Sequence, residues 1–231
     1  MSRREAERVR AAYARRAARG DDERYSLLNP ANLYMYQRRE RALLSMLRRH
    51  GLAPLAGRRI VDVGCGSGGL LADFLRYGAR AEDLAGADLL AERIESARRR
   101  FPAIAFAVAD ASALPYAGAS FDVALQFTLL SSVRDRAMRE SIAAETLRVL
   151  RPGGALVWYD FIWNPLNRDV RGIGLRELRR LYAGCAIDAR RGTLAPPISR
   201  RLSRGSWTVC RLLEAAAPWL CSHYLAVVEK R

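Results

Sequence analysis

The run Ile60-Val61-Asp62-Val63-Gly64-Cys65-Gly66-Ser67-Gly68-Gly69 constrains this chain more than any other stretch. Its first four residues, apolar apart from Asp62, suit a short buried strand. The glycines end that strand, and Gly69-Leu70-Leu71-Ala72-Asp73-Phe74-Leu75 reads as the opening of a helix. Strand, glycine turn and helix in that order bring main chain close to a nucleotide-like ligand. A Cβ in such a turn obstructs both a left-handed backbone and the ligand's approach. Two spacings are satisfied at once. Gly64-x-Gly66-x-x-Gly69 fits the dinucleotide fingerprint, while Asp62-x-Gly64-x-Gly66-x-Gly68 sets an acid ahead of alternating glycines. A pyrophosphate gains nothing from that carboxylate, whereas a ligand with a cationic amino-acid end does.

The rest of the chain supplies the setting. Its 231 residues, half of them hydrophobic, suit one core with a small appendage. No apolar run approaches the ~18 residues of a membrane span, and the charged start Met1-Ser2-Arg3-Arg4-Glu5 lacks an apolar leader. Cys65, Cys185, Cys210 and Cys221 are scattered, so neither a metal site nor a disulfide framework is expected, and a reducing cytoplasm is the expected location. The formal net charge is +15, with Lys230 the only lysine. The arginines are spread along the whole chain, which favours a compositional origin over a specific nucleic-acid partner. An anionic membrane surface or a lipid-linked substrate stays compatible with that charge.

Residues 1–20 read as a basic helix, and a second helix follows from about Leu33 to His50, closed by Gly51. Together they suggest an N-terminal helical segment over 1–57 ahead of a domain over 58–231, a segment that the resemblance given below casts as a lid. Beyond the glycine turn, Leu84–Asp88, Ile104–Val108, Phe121–Phe127 and Ala155–Asp160 read as strands alternating with helices, Ile104–Val108 as a buried one. Arg151-Pro152-Gly153-Gly154 reads as a turn before the fifth strand, and Pro196-Pro197 as a chain break. Ala186–Thr193 and His223–Val228 complete seven strands. The fold class is α/β: a Rossmann-like, mostly parallel seven-stranded sheet with helices on both faces and an N-terminal helical lid. Such sheets take ligands at the carboxyl ends of their strands. Asp62, Asp88 and Asp110 all stand at such ends, and Asp88 comes 24 residues after Gly64, a spacing that suits a carboxylate accepting from two ribose hydroxyls.

Four ordered blocks between about Arg58 and Asp160 resemble the class I S-adenosylmethionine-dependent methyltransferases, in particular the small-molecule enzymes of the ubiquinone/menaquinone biosynthesis group. They are the glycine loop, Asp88, the run Asp110-Ala111-Ser112-Ala113-Leu114-Pro115-Tyr116 leading to Ser120-Phe121-Asp122-Val123, and Val149-Leu150-Arg151-Pro152-Gly153-Gly154. The resemblance implies S-adenosylmethionine as cofactor, held by Asp62, Gly64, Cys65, Gly66, Gly68, Asp88, Leu89, Asp110, Ala111, Gln126 and Phe127. It implies transfer to a small-molecule acceptor, with O-methylation the expected chemistry, and a terminal hairpin antiparallel to its neighbours. Tyr13 and Tyr25 are candidate lid residues. The stretch Gln126-Phe127-Thr128-Leu129-Leu130-Ser131-Ser132 lacks the histidine that many relatives carry, which leaves His223 as the candidate general base. It also lacks the Asp/Asn-Pro-Pro-aromatic run of the enzymes that methylate nucleic-acid bases. A monomer or homodimer is expected. A non-catalytic protein of the same fold, binding RNA or membrane through its basic surface, is the alternative.

Overall fold

The computed structural model describes residues 3–18, 26–164, 167, 169–203 and 205–231. In chain order the elements are α1 (Arg3–Ala17), α2 (Pro30–Arg49), β1 (Ile60–Val63), α3 (Gly69–Arg76), β2 (Leu84–Asp88), α4 (Ala91–Arg100), β3 (Ala105–Val108), β4 (Phe121–Phe127), α5 (Arg136–Val149), β5 (Leu150–Phe161), α6 (Leu175–Leu181), β6 (Ala186–Leu194), α7 (Pro196–Leu202), α8 (Trp207–Ala216) and β7 (Cys221–Glu229).

The seven strands form one sheet in the order β3-β2-β1-β4-β5-β7-β6. The first five run parallel, and β7 pairs antiparallel with both β5 and β6. Period-two alternation sorts the side chains into two layers. Ile60, Val123, Leu125, Val157 and Val227 face α2, α3 and α4, where Leu43, Leu47, Leu71, Phe74 and Ile94 meet them. Val61, Ala124, Leu156, Trp158 and Val228 face α5 and α6, where Ile142, Val149 and Leu178 meet them. Burial on both faces is why these strands read as continuous apolar runs.

Local chemistry sets the boundaries. Pro30 begins α2 behind Asn29, whose side chain accepts from Ala31 N–H, and Asp135 caps α5 by accepting from Met138 N–H. His50 closes α2 and bonds Glu229 through Nδ1 at 2.7 Å and Asp188 through Nε2 at 3.1 Å, tying that helix to β7 and β6.

Three sequence expectations change. β3 is an edge strand with exposed Ala105 and Val108, because only β2 flanks it. The Arg151–Gly154 stretch belongs to β5, since Gly153 N–H donates to Lys230 carbonyl and Lys230 N–H to Gly154 carbonyl alongside the end of β7. Pro196-Pro197 opens α7, because proline suits a helix's first turn, where no N–H partner is needed.

Gly86 in β2 shows how tightly the first layer is packed. A Cβ there meets Cys65 Sγ and the Phe106 ring at 2.8 Å. Gly86→Ala is expected to destabilise the fold by about 1–3 kcal/mol through overpacking, read as a lower midpoint in denaturant at unchanged slope. An unshifted midpoint contradicts the packing described.

Candidate functional site

Strand order reverses direction between β1 and β4, and a cleft with about 730 Å³ of free space, part of it open to solvent, lies at the carboxyl ends there. Gly64, Asp88, Leu89, Asp110, Ala111 and Phe127 line it. Three different strand ends and the glycine loop thus meet at one cleft.

The loop is built around Asp88. Its Oδ2 accepts from Gly66 N–H and its Oδ1 from Leu90 N–H, both at 2.9 Å. These bonds hold the loop against the end of β2 and leave each oxygen further acceptor capacity. Gly64 has φ +83°, and a Cβ there meets Leu129 Cδ1 at 3.0 Å. Gly68, at φ +80°, has Phe101 and Phe106 where a Cβ would lie, so its part is helix packing rather than lining. Asp110 Oδ1 accepts from both N–H and Oγ of Ser112, a turn that presents the following main chain to the cleft.

Asp62 lies behind this wall. It is 2% exposed, and its Oδ1 is buried with no hydrogen-bond partner. Burial, with the charge of Asp88 adding, pushes its carboxyl up to about 8. Near neutrality it carries a proton unless a cation stands beside it.

Helix α1 covers the cleft through Val9 and Tyr13. Tyr13 hydroxyl lies 3.4 Å from Ser132 Oγ, and the Arg93 guanidinium sits 4.3 Å from the Tyr13 ring centroid. Arg8 donates to the Ser132 carbonyl and to Glu5, which also accepts from Arg134 N–H. Burial opposes ionisation of Glu5, but those hydrogen bonds outweigh it and hold its carboxyl below the usual range.

Other candidates lie elsewhere. Gln126 points to the opposite face of β4, where Nε2 donates to Thr146 and Oε1 accepts from Tyr182, because alternation sends residues 124 and 126 toward α5 and α6. Cys65 is buried beneath the loop, its N–H spent on Ala87 carbonyl, and it is absent from the lining, as is Gly66. His223 is also absent from it. That imidazole stacks on Tyr159 at 4.8 Å and packs on Phe161, and burial, with Arg39's charge adding, pushes it down to about 3. Such a group is too weak a base for general-base work near neutrality. Tyr25 lies outside the described residues.

Sequence reasoning missed Arg93, Thr128, Ser132, Met138 and Ile142, which also line the cleft. Met138 and Ile142 carry the ordinary three-to-four spacing of a core face, so no local signal separates them from packing residues. Thr128 adopts φ +55°, a left-handed conformation rare for a β-branched residue and concentrated at functional sites.

Comparison with known proteins agrees with this geometry. A family model described as a methyltransferase domain matches residues 60–154. The ubiquinone/menaquinone biosynthesis C-methyltransferase of Dinoroseobacter shibae is 37% identical over 137 residues, covering 57% of this chain and 51% of that protein. The 27-O-demethylrifamycin SV methyltransferase of Amycolatopsis mediterranei is 37% identical over 181 residues, covering 70% of this chain and 64% of that protein. The chain spans about half the length of the first curated relatives it matches. Among solved structures, the Burkholderia thailandensis 1,6-didemethyltoxoflavin-N1-methyltransferase, with bound 1,6-didemethyltoxoflavin and S-adenosylhomocysteine, superposes with a TM-score of 0.67 at 18% identity. That match covers 100% of this chain and 90% of that one, and it speaks to the fold.

Because Glu5 is held below its ordinary range, its contribution to docking α1 is present above that range and lost as pH falls through the lowered value. Hydrogen exchange corrected for intrinsic rates is expected to show α1 losing protection in acid. Glu5→Gln is expected to weaken protection at neutral pH and to flatten the acid response. An unchanged pH response in that variant removes Glu5 from the docking.

Proposed function

We propose that this chain, a class I S-adenosylmethionine-dependent methyltransferase by its domain and fold, methylates a hydroxyl of a small-molecule acceptor. The observation that carries the cofactor half is the convergence of Asp88, Asp110 and Gly64 on one cleft with Asp62 buried behind them. The residues fit the group. The orphaned Asp62 Oδ1 calls for a cationic partner, and Gly64, whose left-handed backbone suits no side chain, brings bare main chain to the cleft wall. Asp88 would hold the ribose hydroxyls, Asp110 and Ala111 N–H the adenine, and Asp62 the amino-acid end. When bound, S-adenosylmethionine supplies a methyl group on a positively charged sulfur. The protein's contribution is then positioning and exclusion of water, with Val9 and Tyr13 closing the mouth.

Arg39 supports a hydroxyl acceptor. Its guanidinium lies 5.1 Å from the Tyr36 ring, 5.7 Å from Phe127 and 5.9 Å from Tyr159, and its Nε is buried without a hydrogen-bond partner. Its nearest carboxylate, Asp73 at 4.0 Å, already accepts from Tyr36 and Arg76. Phe127 belongs both to this cluster and to the cleft lining. A cation so placed lowers the pKa of an acceptor hydroxyl, whose proton then passes to solvent at the open side of the cleft while the oxygen takes up the methyl group, with no histidine base needed. His223 is accordingly set aside as the base, and its stacking helps to order Tyr159.

Calorimetry with S-adenosylhomocysteine tests the cofactor half. Asp88→Ala is expected to weaken binding more than tenfold, because both ribose bonds go. Titration at pH 7 in buffers of different ionisation enthalpy is expected to show release of about one proton, absent in Asp62→Asn, since a cationic end draws the proton from a carboxyl poised at about 8. Unchanged affinity in the first variant and unchanged proton release in the second each overturn the assignment of that residue.

Radiolabelled methyl transfer to a panel of phenolic and alcoholic acceptors tests the other half. Turnover is expected on hydroxyls, and Arg39→Gln is expected to move the rise of its pH profile to higher pH. Turnover confined to carbon or nitrogen acceptors overturns the hydroxyl reading while leaving the cofactor site intact.

A further inference from the structure

Helix α8 turns a stripe of apolar side chains outward. Cys210, Glu214 and Ala217 face the protein, whereas Val209, Leu212 and Ala216, at three- and four-residue spacing, face solvent. Leu212 is 64% exposed, and Trp219 in the short turn after the helix is 65% exposed, values far above those of large side chains that merely graze a surface. Among the described residues, five of the seven large exposed hydrophobics belong to α8, that turn or the loop before α2: Val209, Leu212, Trp219, Leu27 and Leu28. The helices are bound together, with Tyr34 edge-on to Trp207 at 5.8 Å and Arg38 Nε donating to Glu214 at 2.7 Å.

Charge decides what such a face meets. Residues 195–220 hold four arginines (200, 201, 204 and 211) against one acid, Glu214. That acid is turned inward and paired with Arg38, while Arg201 and Arg211 stand exposed. A second copy of the same face brings positive charge against positive charge in a chain of net charge +15, so self-association is disfavoured. At 10 residues, α8 is far too short to cross a bilayer, but an apolar stripe flanked by arginine and ended by tryptophan is suited to lie in a headgroup layer.

We propose that the outward face of α8 together with Trp219 is a docking surface for anionic phospholipid membrane, with Val209, Leu212 and Trp219 inserted and Arg201 and Arg211 on the headgroups. The docking is independent of the reaction assigned above. It places α2, the helix that carries Arg39, directly behind the membrane-facing helix.

The test is flotation of the full chain with vesicles of phosphatidylcholine alone or mixed with phosphatidylglycerol, with tryptophan emission followed in parallel. Retention on the mixed vesicles and a blue shift of emission are expected, with little retention on phosphatidylcholine. The double variant Leu212→Glu, Trp219→Ala is expected to lose retention by about tenfold or more, since a charge is costly where a leucine was inserted. Its thermal midpoint and its binding of S-adenosylhomocysteine, measured beside it, are expected to stay unchanged. Retention that is equal in both proteins reduces the attraction to general net charge and overturns the docking surface. So does absence of binding to either vesicle. Light scattering that shows a dimer dissolved by the same variant assigns the face to a second copy and overturns it too.

Discussion

The reversal of strand order between β1 and β4 is the constraint on which the rest depends. Right-handed crossovers lead the chain one way from β1 through β2 to β3 and the other way from β4 to β5. Their helices therefore cannot close over the β1–β4 boundary, and a crevice opens at the carboxyl ends of those strands. Every cleft-lining group that sits at a strand end reaches it by that rule. Asp88 ends β2, Phe127 ends β4, and Asp110 follows β3. The glycine loop is the material that lets main chain turn in so tight a space.

A second dependence runs through charge. Asp62 is buried with one oxygen lacking any partner, a costly condition in a dry interior. Its neighbour Asp88 has both oxygens satisfied by main-chain N–H groups. Two carboxylates of adjacent strands thus differ sharply in environment, one a firm structural clasp and the other an unpaired group. The unpaired one is where binding energy from a cation is available, because the solvation it lost on folding is restored there.

Much of this was legible in the sequence for a simple reason. Buried parallel strands must be apolar on both faces, and glycine-rich turns admit few substitutes, so both leave local marks. Ala91–Arg100 and Leu84–Asp88 could be bounded to the residue. Gln126 could not be placed, because a polar side chain at a strand's end suits a cleft as well as a buried bond to Tyr182 and Thr146. His223 posed the same problem, since only the stacking of Tyr159 and Phe161 around it reveals how far burial depresses its basicity. Thr128 left no mark at all, for its left-handed backbone is imposed by its surroundings: its N–H donates to Tyr159 carbonyl and its own carbonyl accepts from Ser132.

The place of β7 has a consequence for how the molecule assembles. Although later in the chain, it sits between β5 and β6, and among the described residues β6 pairs with no other strand. Until β7 is made, β6 has no strand of the sheet to pair with, although α2 already offers a surface to the helices that follow it through Tyr34 and Arg38. The five parallel strands, whose pairings are all in hand by β5, can consolidate first. Arrival of β7 then joins β6 to the sheet, at the entropic cost that such non-local pairing carries. The aspartate-lined cleft thus rests on strand pairings complete by β5, whereas the outward-facing apolar helix lies in the chain between two strands whose pairing needs β7.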